Sequence, residues 1–314
     1  MDPLSDVLRA VRLTGAYFYL VEARGRWAVA AKPAPDLAPR ILPDAEHLIA
    51  YHILTEGECW GGLDREPTVH LRAGDVILFP QGDAHIMSRS PKEQNVTGLD
   101  SPPDRYPETV RLGSGPPEAR LVCGFLGCDA RPFNPLLAAL PRVLHVPRGN
   151  GGWLAAFGEQ AVRESRDLHA GSHTMLTRMA ELMFIEVVRQ YLGALPEEHS
   201  SWLAGLRDRL VGAALSKIHE RPAHNWSLAE LAHEVATSRT VLAERFAAIV
   251  GIPPMQYLAQ WRLQLAAGLL ARGGAKISAV GAQVGYDSEA AFSRAFKRAT
   301  GLSPAEWRRR RQPV

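Results

Sequence analysis

The last hundred residues repeat one pattern of apolar and polar positions, with fifty residues between the two copies. The shared positions are Ser238, Leu242, Phe246, Gly251, Pro254 and Tyr257 in the first copy and Ser288, Phe292, Phe296, Gly301, Pro304 and Trp307 in the second. A period of this length is typical of one supersecondary unit used twice. A shorter helix and a tight turn precede each serine, so the pattern predicts two helix-turn-helix units.

The first unit carries clear signals for where its helices begin and end. Ser227 and Glu230 form a capping-box pattern at the start of the short helix. Ser238 begins the second helix, and Gly251 ends it. The residues of this second helix that the spacing predicts to face inward are Val241, Leu242, Phe246 and Ile249. One further helix, from Met255 to Ala271, is predicted to connect the two units as a rigid spacer.

The first two hundred residues show a different pattern. After a short helix within residues 1–13, apolar runs of four to eight residues alternate with Gly, Pro and Asp as far as His85, which predicts a small all-β barrel. Residues 88–118 are rich in Ser, Pro, Gly and charge and predict a long mobile loop. Residues 135–140, 153–165 and 173–193 are predicted to be helical, and the apolar face of the last can serve either the core or a dimer interface.

Charge is distributed unevenly between the two patterns. The chain has a net charge of +3, but residues 201–314 hold 16 Lys and Arg against 8 Asp and Glu, whereas residues 1–200 are acidic. A basic surface on the half with the repeat favours contact with DNA phosphates. Three cysteines do not make a disulfide framework, and no apolar run is long enough to span a bilayer. We therefore expect a cytoplasmic protein with no membrane contact and reduced thiols.

Two stretches of the repeat resemble a known family. They are R-x-x-L-A-E-R-F-x-x-x-x-G-I-P-P-x-x-Y-L-x-x-x-R-L-x-x-A from Arg239 to Ala266, and V-G-Y-D-S-E-A-A-F-S-R-A-F-K-R-x-x-G-L-S-P-A-E-W-R from Val284 to Arg308. Both resemble the DNA-binding domain of the AraC/XylS family of bacterial transcription regulators. The resemblance implies seven helices and two recognition helices in adjacent major grooves. The family usually has Gly in both turns, and Ala236 departs from this where Gly285 does not.

The resemblance also implies roles for residues on the two recognition helices. The expected base contacts come from Thr240, Ala243, Glu244, Glu289, Ala290 and Arg294. The expected phosphate contacts come from Arg239, Arg245, Ser293 and Lys297. Ser288, which caps the second recognition helix, is also expected to contact DNA. Glu244 can accept from cytosine N4, or it can lie on a solvated helix face. Arg262 matches the family's linker-helix arginine, for which we expect an intradomain ion pair.

The β-rich region carries a second motif. Gly74, Pro80, Gly82 and His85 match G-x5-P-x-G-x2-H, and this spacing resembles the second motif of the cupin barrel. A metal-binding cupin also supplies H-x-H and an acid from its first motif, and this chain lacks that set. His52, His70 and His85 can still surround zinc or another divalent metal, or they can be neutral hydrogen-bonded core histidines.

Two other kinds of signal are compatible with the barrel. Cys59, Cys123 and Cys128 can be redox-active or can be buried structural thiols. A small organic effector can bind against Trp60 and Phe79. The sequence leaves these alternatives open.

Together these patterns predict an α+β multidomain protein. Residues 1–145 form a cupin-like β-barrel sensor, 146–200 a helical dimerisation or linker region, and 201–314 an all-α domain with two helix-turn-helix units. The predicted function is sequence-specific transcription regulation, without catalysis, by a homodimer that binds double-stranded promoter DNA and responds to an unknown effector. Bacterial RNA polymerase is a partner implied by the family. The alternatives are a cupin metalloenzyme fused to a DNA-targeting domain, and a signal-independent regulator whose barrel only dimerises.

Overall fold

The structure, a computed structural model, describes residues 2–93, 97–99, 109–149, 153–167, 169–196 and 199–311. It divides into two compact units. The barrel unit comprises Leu13–Asp129 and Leu140–Ala194, and the helical unit comprises Met1–Arg12, Ala130–Ala139 and Leu195–Val314. No helix among the described residues is long and apolar enough to cross a membrane.

The barrel unit is built from two sheets. Its strands are β1 (Thr14–Arg24), β2 (Ala28–Ala31), β3 (His47–Glu56), β4 (Glu58–Leu63), β5 (Val69–Arg72), β6 (Val76–Phe79), β7 (His85–Ser88), β8 (Thr97–Leu99), β9 (Thr109–Gly113), β10 (Pro117–Cys128) and β11 (Leu144–Val146). One sheet has the order β11-β6-β3-β10-β1-β9, and the other has the order β5-β4-β7-β2-β8. Residues 88–118 are predicted to form a long mobile loop, and this prediction is wrong for β8, which pairs with β2, and for β9 and the start of β10, which pair with β1. Residues 94–96 and 100–108 lie outside the described residues.

Strand β3 shows why the larger sheet is buried on both faces. Leu48, Ala50 and Leu54 belong to the apolar core between the two sheets. Ile49 and Ile53 point to the opposite face because side chains alternate along a strand, and they are also buried. Helix α4 (Trp153–Arg166) packs against β3 there, and its Gly158 leaves so little room that an added Cβ would lie 3.2 Å from the Ile53 side chain.

The described part of the barrel unit also contains three helices: α2 (Ala34–Ile41), α4 (Trp153–Arg166) and α5 (Ser172–Ala194). Leu176, Met183 and Val187 of α5 are fully buried within one chain. The apolar face predicted to serve either a core or a dimer therefore serves the core. Met175 and Leu182 of the same helix remain 49% and 55% exposed, on a separate stripe.

The helical unit contains ten helices among its described residues. They are α1 (Pro3–Ala10), α3 (Pro135–Ala139), α6 (Trp202–Arg207), α7 (Arg209–Glu220), α8 (Leu228–Glu234), α9 (Arg239–Val250), α10 (Pro254–Arg272), α11 (Ile277–Gln283), α12 (Glu289–Thr300) and α13 (Pro304–Arg311). Seven of them, α7 to α13, form the array that the family resemblance implies. The short helices α8 and α11 precede α9 and α12 across tight turns, as the repeat predicts.

The unit boundaries differ from the predicted domain boundaries. The predicted barrel domain includes residues 1–12 and 130–139, but these pack within the helical unit, whereas most of the predicted region 146–200 packs with the barrel. The side-chain amide of Gln264 on α10 explains the first difference. It accepts a hydrogen bond from the Phe133 amide at 3.0 Å and donates to the Ala10 carbonyl at 3.2 Å. Gln264 is 1% exposed, so both segments belong to the interior of the helical unit.

Candidate nucleic-acid interface and barrel cavity

Helices α9 and α12 begin and end in the same way. Ser238 accepts a hydrogen bond from the Val241 amide, and Ser288 accepts one from the Ala291 amide, both at 3.2 Å. These bonds satisfy amides that a helix leaves unpaired at its start. Gly251 and Gly301 end the helices in the left-handed conformation, with φ of +87° and +76°. The two copies of the repeat therefore have equivalent helix boundaries.

The two turns also share one geometry. Ala236 has φ of +53° and Gly285 has φ of +88°. The Thr237 amide donates to the Ala232 carbonyl at 2.9 Å, and the equivalent Tyr286 amide donates to the Gly281 carbonyl at 3.0 Å. The first turn thus places an alanine in the left-handed region, where L residues are disfavoured. This confirms that the departure from glycine lies at a position that requires positive φ.

Arg262 of α10 holds the second turn in place through hydrogen bonds. Its guanidinium donates to the carbonyls of Pro222, His224 and Gly285, at 2.7, 2.7 and 3.1 Å. The ion pair expected for Arg262 is therefore wrong, because its partners are three backbone carbonyl oxygens and not a carboxylate. The same packing makes Gly285 necessary, since an added Cβ would lie 2.6 Å from the Ala223 carbonyl oxygen.

Each recognition helix buries one face within the helical unit. Leu242 and Phe246 of α9 and Phe292 and Phe296 of α12 are fully buried. Val241, predicted to face inward, is 48% exposed instead. Its side chain lies one residue ahead of Leu242, about 100° around the helix, which turns it away from the core. Sequence spacing alone missed this exposed apolar group on the first recognition helix.

The residues predicted to contact DNA lie mainly on the opposite, exposed faces. The exposed residues of this set are Arg239, Thr240, Glu244 and Arg245 in the first unit and Ser288, Glu289, Ala290, Arg294 and Lys297 in the second. Ala243 and Ser293, which occupy equivalent positions, are half-buried. The two units therefore present corresponding surfaces to solvent.

Arg245 has a partner inside the helical unit. Its guanidinium donates to one carboxylate oxygen of Asp208 at 2.9 and 2.6 Å. The other oxygen of Asp208 accepts from the Leu210 and Val211 amides at the start of α7. Partial burial opposes ionisation of Asp208, but the Arg245 and amide hydrogen bonds outweigh it and lower the pKa of the carboxyl group. A phosphate contact by Arg245 would compete with this pair.

In the barrel unit, the sheet register brings a row of polar side chains into the interior. Tyr19 of β1 lies opposite Cys123 of β10, and Cys123 lies opposite His52 of β3. Directly opposed residues share one face of a sheet. His85 of β7 approaches from the second sheet, and Phe79 of β6 in the first sheet stacks on its ring at a centroid distance of 3.9 Å. Gly74 and Gly82, with φ of +98° and +70°, form the turns that the cupin motif predicts around β6.

Two histidines and a cysteine form a hydrogen-bonded chain in this row. His85 Nδ1 lies 3.1 Å from the Asp83 carbonyl, His85 Nε2 lies 2.9 Å from His52 Nε2, and His52 Nδ1 lies 2.8 Å from Cys123 Sγ. Because a carbonyl only accepts, neutral His85 carries its proton on Nδ1 and accepts at Nε2. His52 then donates from Nε2 and accepts at Nδ1, so the Cys123 thiol is the remaining donor.

Burial keeps all three groups neutral. It lowers the pKa of His85 to about 4 and, together with the nearby His85, holds the pKa of His52 well below its ordinary value. Burial also raises the pKa of the Cys123 thiol well above its ordinary range, with a further increase from Cys59 and an opposing hydrogen bond from Tyr19. The pKa values of Cys59 and Cys128 rise to about 12, mainly through burial.

A narrow cavity adjoins this chain. Tyr19, Trp27 and Met87 line it together with His52 and Cys123. About 20 Å³ is free for the centre of a water-sized sphere, which is room for about one water molecule. The sequence does not identify Tyr19, Trp27 and Met87 as cavity residues, because only the pairing of β1, β2 and β7 with their neighbours shows that they face this space.

Comparisons with known proteins decide the family. Residues 2–193 match the family model of the cupins, and residues 231–310 match the model of a helix-turn-helix domain. A putative AraC-like transcription regulator from Streptomyces antibioticus is 32% identical over the full length of both chains. The chain belongs to the AraC-type transcription regulators with an N-terminal cupin domain.

Two further proteins align with nearly the whole length of this chain. The HTH-type transcriptional regulator AlkR of Acinetobacter baylyi is 30% identical, and the match covers 98% of this chain and 99% of AlkR. The crystal structure of ToxT from Vibrio cholerae aligns with 95% of this chain and 98% of its own, at 14% identity and a TM-score of 0.36. The curated relatives are named as transcription regulators, and the comparisons give no support to the alternative of a cupin metalloenzyme.

Within this AraC-type regulator, the predicted sensor residues do not form one site. Trp60 and His70 stack on each other at 4.3 Å, and His70 Nε2 lies 3.1 Å from a carboxylate oxygen of Glu58. Trp60 follows Cys59 along β4, and because Cys59 faces the inter-sheet core, strand alternation turns Trp60 to the opposite face. The structure therefore does not bring Trp60 and Phe79 together on one surface for an effector, since Phe79 belongs to the inter-sheet core.

The predicted metal site does not assemble from His52, His70 and His85. His70 lies with Trp60 and Glu58, and the remaining two histidines face each other directly. Cys123 cannot complete a single centre with them, because it meets the opposite ring nitrogen of His52. The part of the chain that the structure describes contains no group of three or more His, Cys, Asp or Glu side chains arranged to hold a metal ion.

Proposed function

We propose that this regulator binds double-stranded promoter DNA by placing α9 and α12 in successive major grooves. The observation that carries the proposal is the equivalence of the two helices: each has a serine cap, two buried core residues and an exposed outer face. Helix α10, of 19 residues, connects them as one continuous helix about 28 Å long. Recognition helices that enter successive grooves on one side of DNA lie about 34 Å apart.

The equivalent positions of the two helices carry different chemistry. Arg294 stands where the first unit has Glu244, and both side chains are exposed. Arginine forms paired hydrogen bonds with guanine, whereas glutamate accepts from cytosine N4. Thr240, Ala243, Glu289 and Ala290 are the other proposed base contacts. We therefore expect two half-sites of unlike sequence, with the guanine contact assigned to α12.

The remaining basic residues fix the position of the helices on the DNA backbone. The exposed Arg239 and Lys297 and the half-buried Ser293 are proposed phosphate contacts. Arg245 has this role only if it leaves Asp208. Because each phosphate contact releases counterions, binding should weaken steeply as salt increases.

Genome-wide footprinting with the purified protein would give an operator on which the two roles can be separated. At fixed salt, Arg294→Ala should weaken operator binding by about 1–3 kcal/mol and relax the preference at one base pair. Lys297→Ala should weaken binding to all sequences about equally and reduce the salt slope by about 1. Arg111→Ala, which removes the same charge from β9 of the barrel unit, is the control. An unchanged affinity for Arg294→Ala would show that α12 is placed wrongly.

The homodimer also belongs to this proposal. Met175 and Leu182 of α5 lie seven residues apart and are about half exposed, while the neighbouring stripe of the helix fills the core of the barrel unit. A shared apolar stripe of this kind suits the isologous contact of a twofold dimer. Sedimentation of the purified protein measures the assembly directly.

The barrel cavity is the proposed sensor, and a bound effector changes how the regulator acts at its promoter. The regulator acts there together with bacterial RNA polymerase, in the cytoplasm. The support is the placement of buried, titratable side chains beside free space in an otherwise apolar core. Operator affinity measured with and without candidate effectors tests this role. The alternative, a barrel that only dimerises, predicts affinities that no effector changes.

A further inference from the structure

The Cys123 thiol differs from the other two cysteines in its surroundings. All three are buried and unpaired by disulfides. Only Cys123 has a described hydrogen bond from its sulfur to a histidine, at 2.8 Å, and the same sulfur accepts a hydrogen bond from the Tyr19 hydroxyl. It also lines the cavity, whereas Cys59 and Cys128 do not. Its reactivity should therefore differ from theirs.

We propose that Cys123 is a site of oxidation by hydrogen peroxide, with His52 as the base that takes the thiol proton. The inference rests on the proposed sensing role of the barrel and names its chemistry. Hydrogen peroxide fits because it is uncharged and little larger than water, and the cavity beside the sulfur holds about one water. Bulkier hydroperoxides do not fit this space.

The orientation of the hydrogen bonds allows the proton to leave the sulfur. Cys123 donates to His52 Nδ1, His52 donates from Nε2 to His85, and His85 donates from Nδ1 to the Asp83 carbonyl. When the thiol proton moves to His52, the Nε2 proton can move to His85, so the positive charge lies one residue away from the sulfur. Tyr19 and His52 then both donate to the thiolate, which compensates part of the cost of burying its charge.

The reaction balances with peroxide as the oxidant. The sulfur attacks one oxygen of the peroxide, a sulfur–oxygen bond forms, and the oxygen–oxygen bond breaks. The leaving hydroxide takes the proton that the histidines hold and departs as water. Cys123 becomes a sulfenic acid, two electrons have passed to the peroxide, and both histidines return to their neutral forms.

Oxidation would change the core around the sulfur. The added oxygen occupies the space beside Tyr19 and Trp27, in a cavity that holds only about one water. A sulfenic hydroxyl also needs a hydrogen-bond partner in an apolar core, and His52 Nδ1 is the nearest acceptor. The product therefore keeps the chain of hydrogen bonds but forces β1 and β10 to adjust. This is the structural change through which oxidation would alter the regulator.

Peroxide treatment of the full-length protein, with sulfenic-acid trapping and peptide mass spectrometry, tests the chemistry. Cys59 and Cys128 are internal controls in the same chain. Cys123 should be labelled at least tenfold faster than either, and His52→Asn should slow its labelling by about a hundredfold, the range that a positioned base contributes. Tyr19→Phe should slow it less. Cumene hydroperoxide should leave Cys123 unlabelled.

Equal labelling of the three cysteines, or an unchanged rate in His52→Asn, would overturn the proposal. If His52→Asn unfolds the barrel, Cys59 and Cys128 will become open to alkylation in native buffer. The proposal is then tested by the rate of Cys123 labelling relative to Cys59 and Cys128 in the wild type, and by the same ratio in His85→Asn. Operator affinity is measured on the same oxidised sample. Selective oxidation without a change in affinity would retain the chemistry and refute the sensing role.

Discussion

The first turn contains an avoidable strain that can be measured. Ala236 is exposed and has φ of +53°, so its methyl group makes no buried contact that a substitution would remove. An L residue in the left-handed region costs about 1–2 kcal/mol, and glycine does not. Glycine in turn makes the unfolded chain more flexible, which costs about 0.4–1 kcal/mol. Ala236→Gly should therefore stabilise the helical unit by about 0.5–1 kcal/mol.

The second turn supplies the matched control. Gly285→Ala puts a methyl group into the same backbone conformation, but there the added carbon would lie 2.6 Å from the Ala223 carbonyl oxygen and 2.9 Å from Arg262 Cζ. Backbone would have to move and the Arg262 bonds would weaken. We expect this change to destabilise the helical unit by about 2 kcal/mol or more.

Thermal unfolding followed by far-ultraviolet circular dichroism measures both changes. A gain of 0.5–1 kcal/mol corresponds to an increase of about 2–4 °C in Tm for a unit of this size. To assign the transition to the helical unit, unfolding is also followed by tryptophan fluorescence in a background in which Trp27, Trp60 and Trp153 of the barrel unit are replaced by Phe, since the two units need not unfold together. A lower Tm for Ala236→Gly, or a Gly285→Ala variant as stable as the wild type, would refute this account of the turns.

The remaining predictions concern a buried amide and two buried histidines. Gln264→Leu removes the side-chain partners of the Phe133 amide and the Ala10 carbonyl, and it should lower the free energy of unfolding in urea by about 2–4 kcal/mol. Gln256 is exposed on the same helix, so Gln256→Leu should have little effect. Equal effects of the two changes would contradict this account of Gln264. Burial lowers the pKa of His85 to about 4 and also lowers the pKa of His52. The folded barrel therefore keeps both rings neutral, and the stability that these neutral rings contribute is full at pH values above the ordinary histidine pKa of 6.5 and is lost as the pH falls below 6.5. The free energy of unfolding from urea titrations at pH 7.5 and 5.5 should differ by about 1 kcal/mol or more for the barrel transition, and His85→Asn should reduce the difference.

The architecture of the two helix-turn-helix units was predictable because each signal there is local. Ser238 and Ser288 mark helix starts, Gly251 marks a helix end, and the spacing of Phe292 and Phe296 marks a buried face. These features depend on residues within a turn or two of each other. The cupin turns at Gly74 and Gly82 were predictable for the same reason.

Features that depend on distant parts of the chain were not predictable. Nothing in the periodicity of residues 1–13 shows that Ala10 meets Gln264, about 250 positions away. The carbonyl partners of Arg262 could not be foreseen either, because every residue offers the same group. The meeting of His52 with Cys123 depends on strand register, which a count of histidines and cysteines does not contain.

Protection of guanine N7 from methylation tests the central claim most directly, because N7 lies in the major groove. With an operator fragment at physiological salt, the account predicts two clusters of protected guanines on one side of the DNA for each bound chain, with centres about 10 base pairs apart. Arg294→Ala should abolish protection in one cluster and leave the other. A single cluster for each chain, or two that Arg294→Ala weakens equally, would contradict the placement of α9 and α12 in successive major grooves.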